Sequence, residues 1–132
     1  MSLSIDKTFS VPAAALQLRG QRTQVLAENL ANADTPNYKA RDMDFKKVMQ
    51  QSQAEQSASL QATHARHIQP AGNSPSNPAL LYRTPMAAAL DGNTVETQAE
   101  QAKFAENTVH YQATLTFLGQ RITSLMGALR GE

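Results

Sequence analysis

The chain has 132 residues, with 12 Lys and Arg against 11 Asp and Glu and a net charge of +1. That length suits one domain spanning 1–132, and the balanced charge gives no electrostatic case for a nucleic acid or an anionic membrane surface. Cysteine is absent, which excludes a disulfide scaffold, a Cys-ligated metal centre and a thiol nucleophile. The apolar share of 41% includes 21 Ala, while Val, Ile, Leu and Phe together number 25. A core that thin leans on a partner more readily than it closes around a catalytic pocket. Asp6, Lys7, Thr8 and Pro12 interrupt the opening segment, so no cleavable secretory signal is expected. No run of residues approaches the apolar length of a membrane span.

In chain order, the first predicted element is a helix over about 10–33, rich in Ala, Leu, Gln, Arg and Glu. Ser10 and Pro12 are its entry signal, and Asp34-Thr35-Pro36-Asn37 stops it, because the residue before Pro is pushed out of the α region. Leu16, Leu26 and Leu30 fall on a 3-4 spacing that also passes through Arg19 and Thr23, a broken seam. The middle, about 40–92, is irregular. Asp44 can start a short helix using Phe45, Val48 and Met49, which weakens into the Gln-rich stretch 50–61. Pro70–Pro78 reads as loop, Leu80–Arg83 as a short strand, and Asp91-Gly92-Asn93 as a turn.

The last element is a helix over about 94–130, capped by Asn93 or Thr97 with Glu96 or Glu100 three residues on. Along it Phe104, Thr108, Tyr111, Leu115, Leu118, Ile122, Leu125 and Leu129 alternate steps of four and three. That is the coiled-coil pattern. Ala99, Ala102, Val109 and Ala113 mark a second, small-residue face. The expected architecture is mainly α: two long terminal helices pair as an antiparallel coiled-coil-like unit around an irregular middle.

Chemistry is sparse. His64 and His67 would share a helix face, but no Cys and no carboxylate at ligand spacing completes a metal site. Asp42 and Asp44 lack a pocket for acid–base work. Lys39, Arg41, Lys46 and Lys47 interleave with those two carboxylates as a mixed solvated surface. No phosphate loop or nucleophile elbow is present. No enzyme, cofactor, metal or small-molecule substrate is expected.

The run Asn29-Leu-Ala-Asn-Ala-Asp-Thr-Pro-Asn-Tyr-Lys39 resembles the signature that ends the first long helix of bacterial flagellar rod and hook proteins. Lys39-Ala-Arg-Asp-Met-Asp-Phe45, Asp91-Gly-Asn-Thr-Val95, Lys103-Phe-Ala-Glu-Asn107 and Tyr111-Gln-Ala-Thr-Leu-Thr-Phe-Leu118 resemble the proximal-rod members of that family. Thr63-His64 and His67-Ile68 fit the same family's middle segment. The resemblance covers both ends of the chain well and the stretch from Met49 to Asn77 poorly. Glu96-Thr97 departs from it, where the family commonly has Asp and an apolar residue.

The resemblance implies a structural rod component in the periplasm, exported unfolded through the flagellar type III apparatus. Its partners would be itself, other rod proteins and an adaptor similar to FliE. Asn29, Leu30, Asn32, Asp34, Thr35, Pro36 and Tyr38 would set the helix exit and subunit contacts. Leu16, Leu26 and Leu30 would meet Phe104, Tyr111, Leu115, Leu118, Ile122, Leu125 and Leu129 in the seam. A helical export chaperone or adaptor of the flagellar secretion system explains the heptads but not Asn29–Tyr38. A small metal hydrolase explains only His64 and His67. On the structural reading, replacing both histidines by Ala leaves motility normal in a complementation assay; immotile cells holding stable protein would contradict it.

Overall fold

The computed structural model describes residues 5–57, 78–87 and 89–131. The element order is α1 (Ile5–Ala31), β1 (Arg41–Met43), α2 (Phe45–Ser57), β2 (Leu80–Tyr82) and α3 (Thr97–Arg130). His64 and His67 lie outside the described residues, as do residues 58–61 of the Gln-rich stretch.

Helix α1 begins five residues before Ser10, and Pro12 lies inside it instead of opening it. Proline forfeits one backbone hydrogen bond there, yet residues 8–12 are partly covered and packing carries the helix across the gap. The helix ends at Ala31, where Asn32, Ala33 and Thr35 make tightening turn bonds to the carbonyls of Asn29, Leu30 and Asn32. Asp44 starts α2: its Oδ1 accepts from the N–H of Lys47 at 3.0 Å, an N-cap bond. The helix persists to Ser57, further into the Gln-rich run than its composition suggests. Strands β1 and β2 pair antiparallel with Arg41 opposite Tyr82 and Met43 opposite Leu80.

The apolar core is small and sits on α1. Leu18 and Val25 pack with Met43 of β1 and Val48 of α2, with Phe45 and Met49 at the margin. Neither Leu18 nor Val25 belongs to the Leu16–Leu26–Leu30 seam. They lie on an adjoining face of α1, because that helix is covered from two sides, by α2 and β1 on one and by α3 on the other. Leu26 is fully buried, while Leu16 and Leu30 are only partly covered.

Helices α1 and α3 run antiparallel, since Asn29 meets Glu100 and Thr23 meets Asn107. At a rise of 1.5 Å per residue α1 is roughly 40 Å long and α3 roughly 51 Å. Much of α3 stays open to solvent. Leu115 is 52% exposed and Leu129 84%, and Tyr111, Ile122 and Leu125 are also exposed. Phe104 and Leu118 are partly covered. Within one chain, then, the heptad stripe is only half occupied.

This division predicts unequal costs for two identical truncations. Leu18→Ala removes a buried side chain and costs about 3 kcal/mol. Leu129→Ala costs less than about 0.5 kcal/mol. Urea unfolding followed by circular dichroism measures both; equal losses would contradict the placement of the core.

Candidate functional site at the end of the first helix

The residues that end α1 build a buried polar junction. Asn29, in the last turn of α1, has its side chain completely buried. Its Nδ2 donates to the carbonyl of Arg41 at 2.7 Å and to Glu100 Oε2 at 3.2 Å. Its Oδ1 accepts from the Arg41 N–H at 3.1 Å and from the Tyr38 hydroxyl at 3.5 Å. The amide thus imitates a strand partner for β1 while its donor also holds α3. A carboxamide supplies that donor–acceptor pair on two separate atoms; Asp and Leu lack the donor, and Ser has both functions on a single oxygen.

From Glu100 an alternating chain of charges runs outward. Glu100, fully buried near the start of α3, pairs with Arg83, which pairs with Asp42 of β1 at 2.7 Å. Asp42 in turn accepts a two-pronged guanidinium contact from Arg22 of α1 at 3.0 and 3.1 Å. Burial pushes the Asp42 carboxyl pKa up, but Arg22, the Met43 N–H and Arg83 outweigh it and hold it below the usual carboxylate range. Burial, followed by the charge of Arg83, pulls the Lys103 ammonium pKa down.

A second cluster ties the connection after α1 to the approach to α3. Asn93 Nδ2 lies 2.7–3.0 Å from the carbonyls of Asn32, Ala33 and Thr35, and its Oδ1 accepts from the Val95 N–H. Asn93 therefore satisfies the end of α1 and does not cap α3. The α3 N-cap is Glu96, whose side chain makes no cap bond and instead accepts from the Met86 N–H. Glu100 is likewise turned away from any capping box, into the junction. Asn32 Nδ2 donates to the Glu28 carbonyl at 2.8 Å, and Thr35 Oγ1 bonds Asn32 Oδ1.

Asn37 takes a left-handed φ of 61°, and its N–H donates to Asp91. Gly92, at φ 72°, approaches so closely that a Cβ there would lie 2.5 Å from Asn37 Oδ1. Asp34, Thr35 and Pro36 are exposed, and Leu30 is partly covered.

A third polar contact lies one heptad along α3. Asn107 is 1% exposed and donates to the Arg19 carbonyl and to Thr23 Oγ1, both at 2.9 Å. Arg19 stacks its guanidinium 4.4 Å from the Phe45 ring centre, and burial lowers its pKa. Of the two polar breaks in the α1 seam, Thr23 meets α3 through its hydroxyl and Arg19 through its backbone carbonyl.

Sequence reading missed Arg22, Asp42, Arg83, Glu100 and Asn107 as a structural set, and it treated Asp42 as part of a solvated surface. Asp42 is instead largely covered between two Arg side chains. The spacing of Glu100 and Asn107 by seven, beside an apolar line, was the signal available. Lys39, by contrast, is exposed and donates to the Gly92 carbonyl. His110 is exposed, 3.6 Å from Glu106. Among the described residues no group of three His, Cys, Asp or Glu side chains could hold a metal ion.

Residues 11–39 match the family described as flagella basal body rod protein. That segment runs from the second turn of α1 to the residue before Ala40, so it contains Asn29 and the whole helix exit. Over nearly the full length the chain is similar to flagellar basal body rod proteins FlgB. It is 48% identical over 124 residues to that of Cereibacter sphaeroides strain ATCC 17029, covering 94% of each chain. It is 45% identical over 134 residues to that of Salmonella typhimurium, covering 96% of each. With the Aeromonas hydrophila protein it shares 38% identity over 133 residues, covering 100% of this chain and 99% of the relative.

The Asp42 shift sets a pH dependence. Its folded-state pKa lies below the unfolded value, so the associated stability is present above about pH 4 and is lost as pH falls through the folded-state value. Asp42→Asn costs about 2 kcal/mol at pH 7, since Arg22 and Arg83 lose a charged acceptor. It also flattens the acid limb of stability against pH. Urea unfolding from pH 7 to 3 reads both, and an unchanged acid limb in the variant would refute the assignment.

Proposed function

The chain belongs to the family of flagellar basal body rod proteins FlgB and is a structural component of that rod, and we propose that it polymerises through its two terminal helices as a single domain over 1–132. Association with other rod components follows from the family. The finer reading is ours. The protein forms the proximal rod in the periplasm and reaches it through the type III export apparatus. It contacts copies of itself, other rod proteins and an adaptor similar to FliE.

One observation carries this reading: the heptad stripe of α3 is wider than the contact that α1 makes with it. Phe104, Tyr111, Leu118 and Leu125 form a shared line. On one side of that line lie Glu100, Asn107 and Thr114; on the other lie Thr108, Leu115, Ile122 and Leu129. Four residues advance a helix by about 40° beyond one turn, so the two flanks face different directions. Helix α1 covers the polar flank, where Asn107 is buried, and leaves Leu115 half exposed. An apolar flank of that length is a surface for another helix. The polar junction supports the same role from the other end, since it fixes the angle at which the middle segment leaves the helix pair. Asn29, Asn32 and Tyr38 act in that exit; Asp34, Thr35 and Pro36, being exposed, remain free to touch a neighbour.

Leu115→Asp tests the proposal more cleanly than a change on the shared line. Its side chain already meets solvent in the single chain, so helicity and cellular protein level stay at the parental value. In an assembled interface the same charge is desolvated without a partner, at a cost of about 3 kcal/mol or more. Rod incorporation and motility are therefore expected to fail. Normal motility with Leu115→Asp would overturn assembly through this flank. Leu118→Asp, on the shared line, is expected to lower helicity as well.

A further inference from the structure

We propose that Asn107 is a specificity-determining residue of the helix pair. It keeps α1 on the polar flank of α3, and so keeps the Leu115–Ile122–Leu129 flank open for assembly. The inference deepens the assembly reading and rests on it.

Asn107 is a poor choice for stability alone. It is 1% exposed, and although its Nδ2 is satisfied by the Arg19 carbonyl and Thr23 Oγ1, its Oδ1 is buried without a hydrogen-bond partner. A buried, half-satisfied amide is disfavoured against a leucine of similar size, and a leucine there would leave only Glu100 and Thr114 as polar residues of that flank. At mid-helix such a flank would resemble the opposite one, where Thr108 is followed by Leu115 and Ile122. α1 would then have two nearly equivalent places to lie.

The polar contacts break that equivalence. On α3, Glu100 and Asn107 are seven residues apart; on α1, their partners Asn29 and Thr23 are six apart. Both contacts are made together in one antiparallel register. Sliding α1 by a heptad separates Asn29 from Glu100. Rotating it onto Leu115 and Ile122 turns the Thr23 hydroxyl and the Arg19 carbonyl toward apolar groups and away from the donor that Asn107 supplies. A single buried Asn at a seam position is known to select register at the expense of stability. In this chain the selection is also between two flanks of one helix.

The natural chain lacks Cys, so Cys introduced at the exposed positions Gln17 and Gln112 carry spin labels without background. Double electron–electron resonance on the full chain then gives the α1–α3 distance distribution. The parent is expected to show one distance. Asn107→Leu is expected to keep or raise helicity yet add a second population of at least a fifth of the molecules, and Asn107→Ser, which retains a hydroxyl donor to the Arg19 carbonyl, returns the single distance.

A distribution that stays single in Asn107→Leu, or one already multiple in the parent, overturns the proposal. Should Asn107→Leu lose helicity, Thr23→Val, which removes the hydroxyl acceptor, must add the second population; its absence is equally decisive. The readout does not depend on rod incorporation, so it is separable from failure of the assembly reading, which the motility of Leu115→Asp reports.

Discussion

A buried carboxamide organises this protein. Asn29 presents one donor and one acceptor to the backbone of Arg41 and shares the donor with Glu100. The backbone of a residue leaving a helix must find partners or remain in water. Here a side chain from the helix itself supplies them, so the chain can turn back along α1 as a strand without a neighbouring strand on that side. Everything downstream uses that placement. β1 positions Asp42 between Arg22 and Arg83, β2 pairs with β1 and delivers Arg83, and Arg83 meets Glu100 at the start of α3.

The apolar residues are divided accordingly. Most of those that are buried gather where α1 meets β1 and α2, Leu26 and Ala40 lying outside that cluster, and the α1–α3 contact includes the buried polar groups Asn29, Glu100 and Asn107. The long apolar line of α3 contributes little to folding the single chain, and its exposed flank is the surface proposed for contacts between chains. In a rod component this separation has a plain physical sense. Groups that hold the monomer are short-range, directional and mutually satisfied. Groups proposed to join subunits are apolar, non-directional and arranged along a helix.

The two terminal helices were legible because their signals are local. Heptad spacing in α3 and the Asn29–Tyr38 run are written in consecutive residues, and Asp44 announced α2. The core was less legible. Leu18 and Val25 sit off the 3-4 stripe, and only the second covering of α1 makes their face an interior one. The junction was least legible of all. Arg22, Asp42, Arg83 and Glu100 are separated by 17 to 41 residues along their pairings, and nothing in local periodicity records which charges will meet. Glu100 and Asn93 look like capping residues for the same reason. Their chemistry suits a helix start, and tertiary contacts that cannot be read locally claim it first.

The order of charges in the junction has one more consequence. Arg22, Asp42, Arg83 and Glu100 alternate in sign, so their fields cancel over a few ångströms, and their side chains are largely shielded from water. Mobile ions act over a Debye length of about 8 Å at physiological strength and reach such groups poorly. The exposed pair Arg41–Glu28 dissolves readily in salt. The joint between the helices and the middle segment is instead electrically silent from outside, and it keeps its geometry in fresh water and in brine alike.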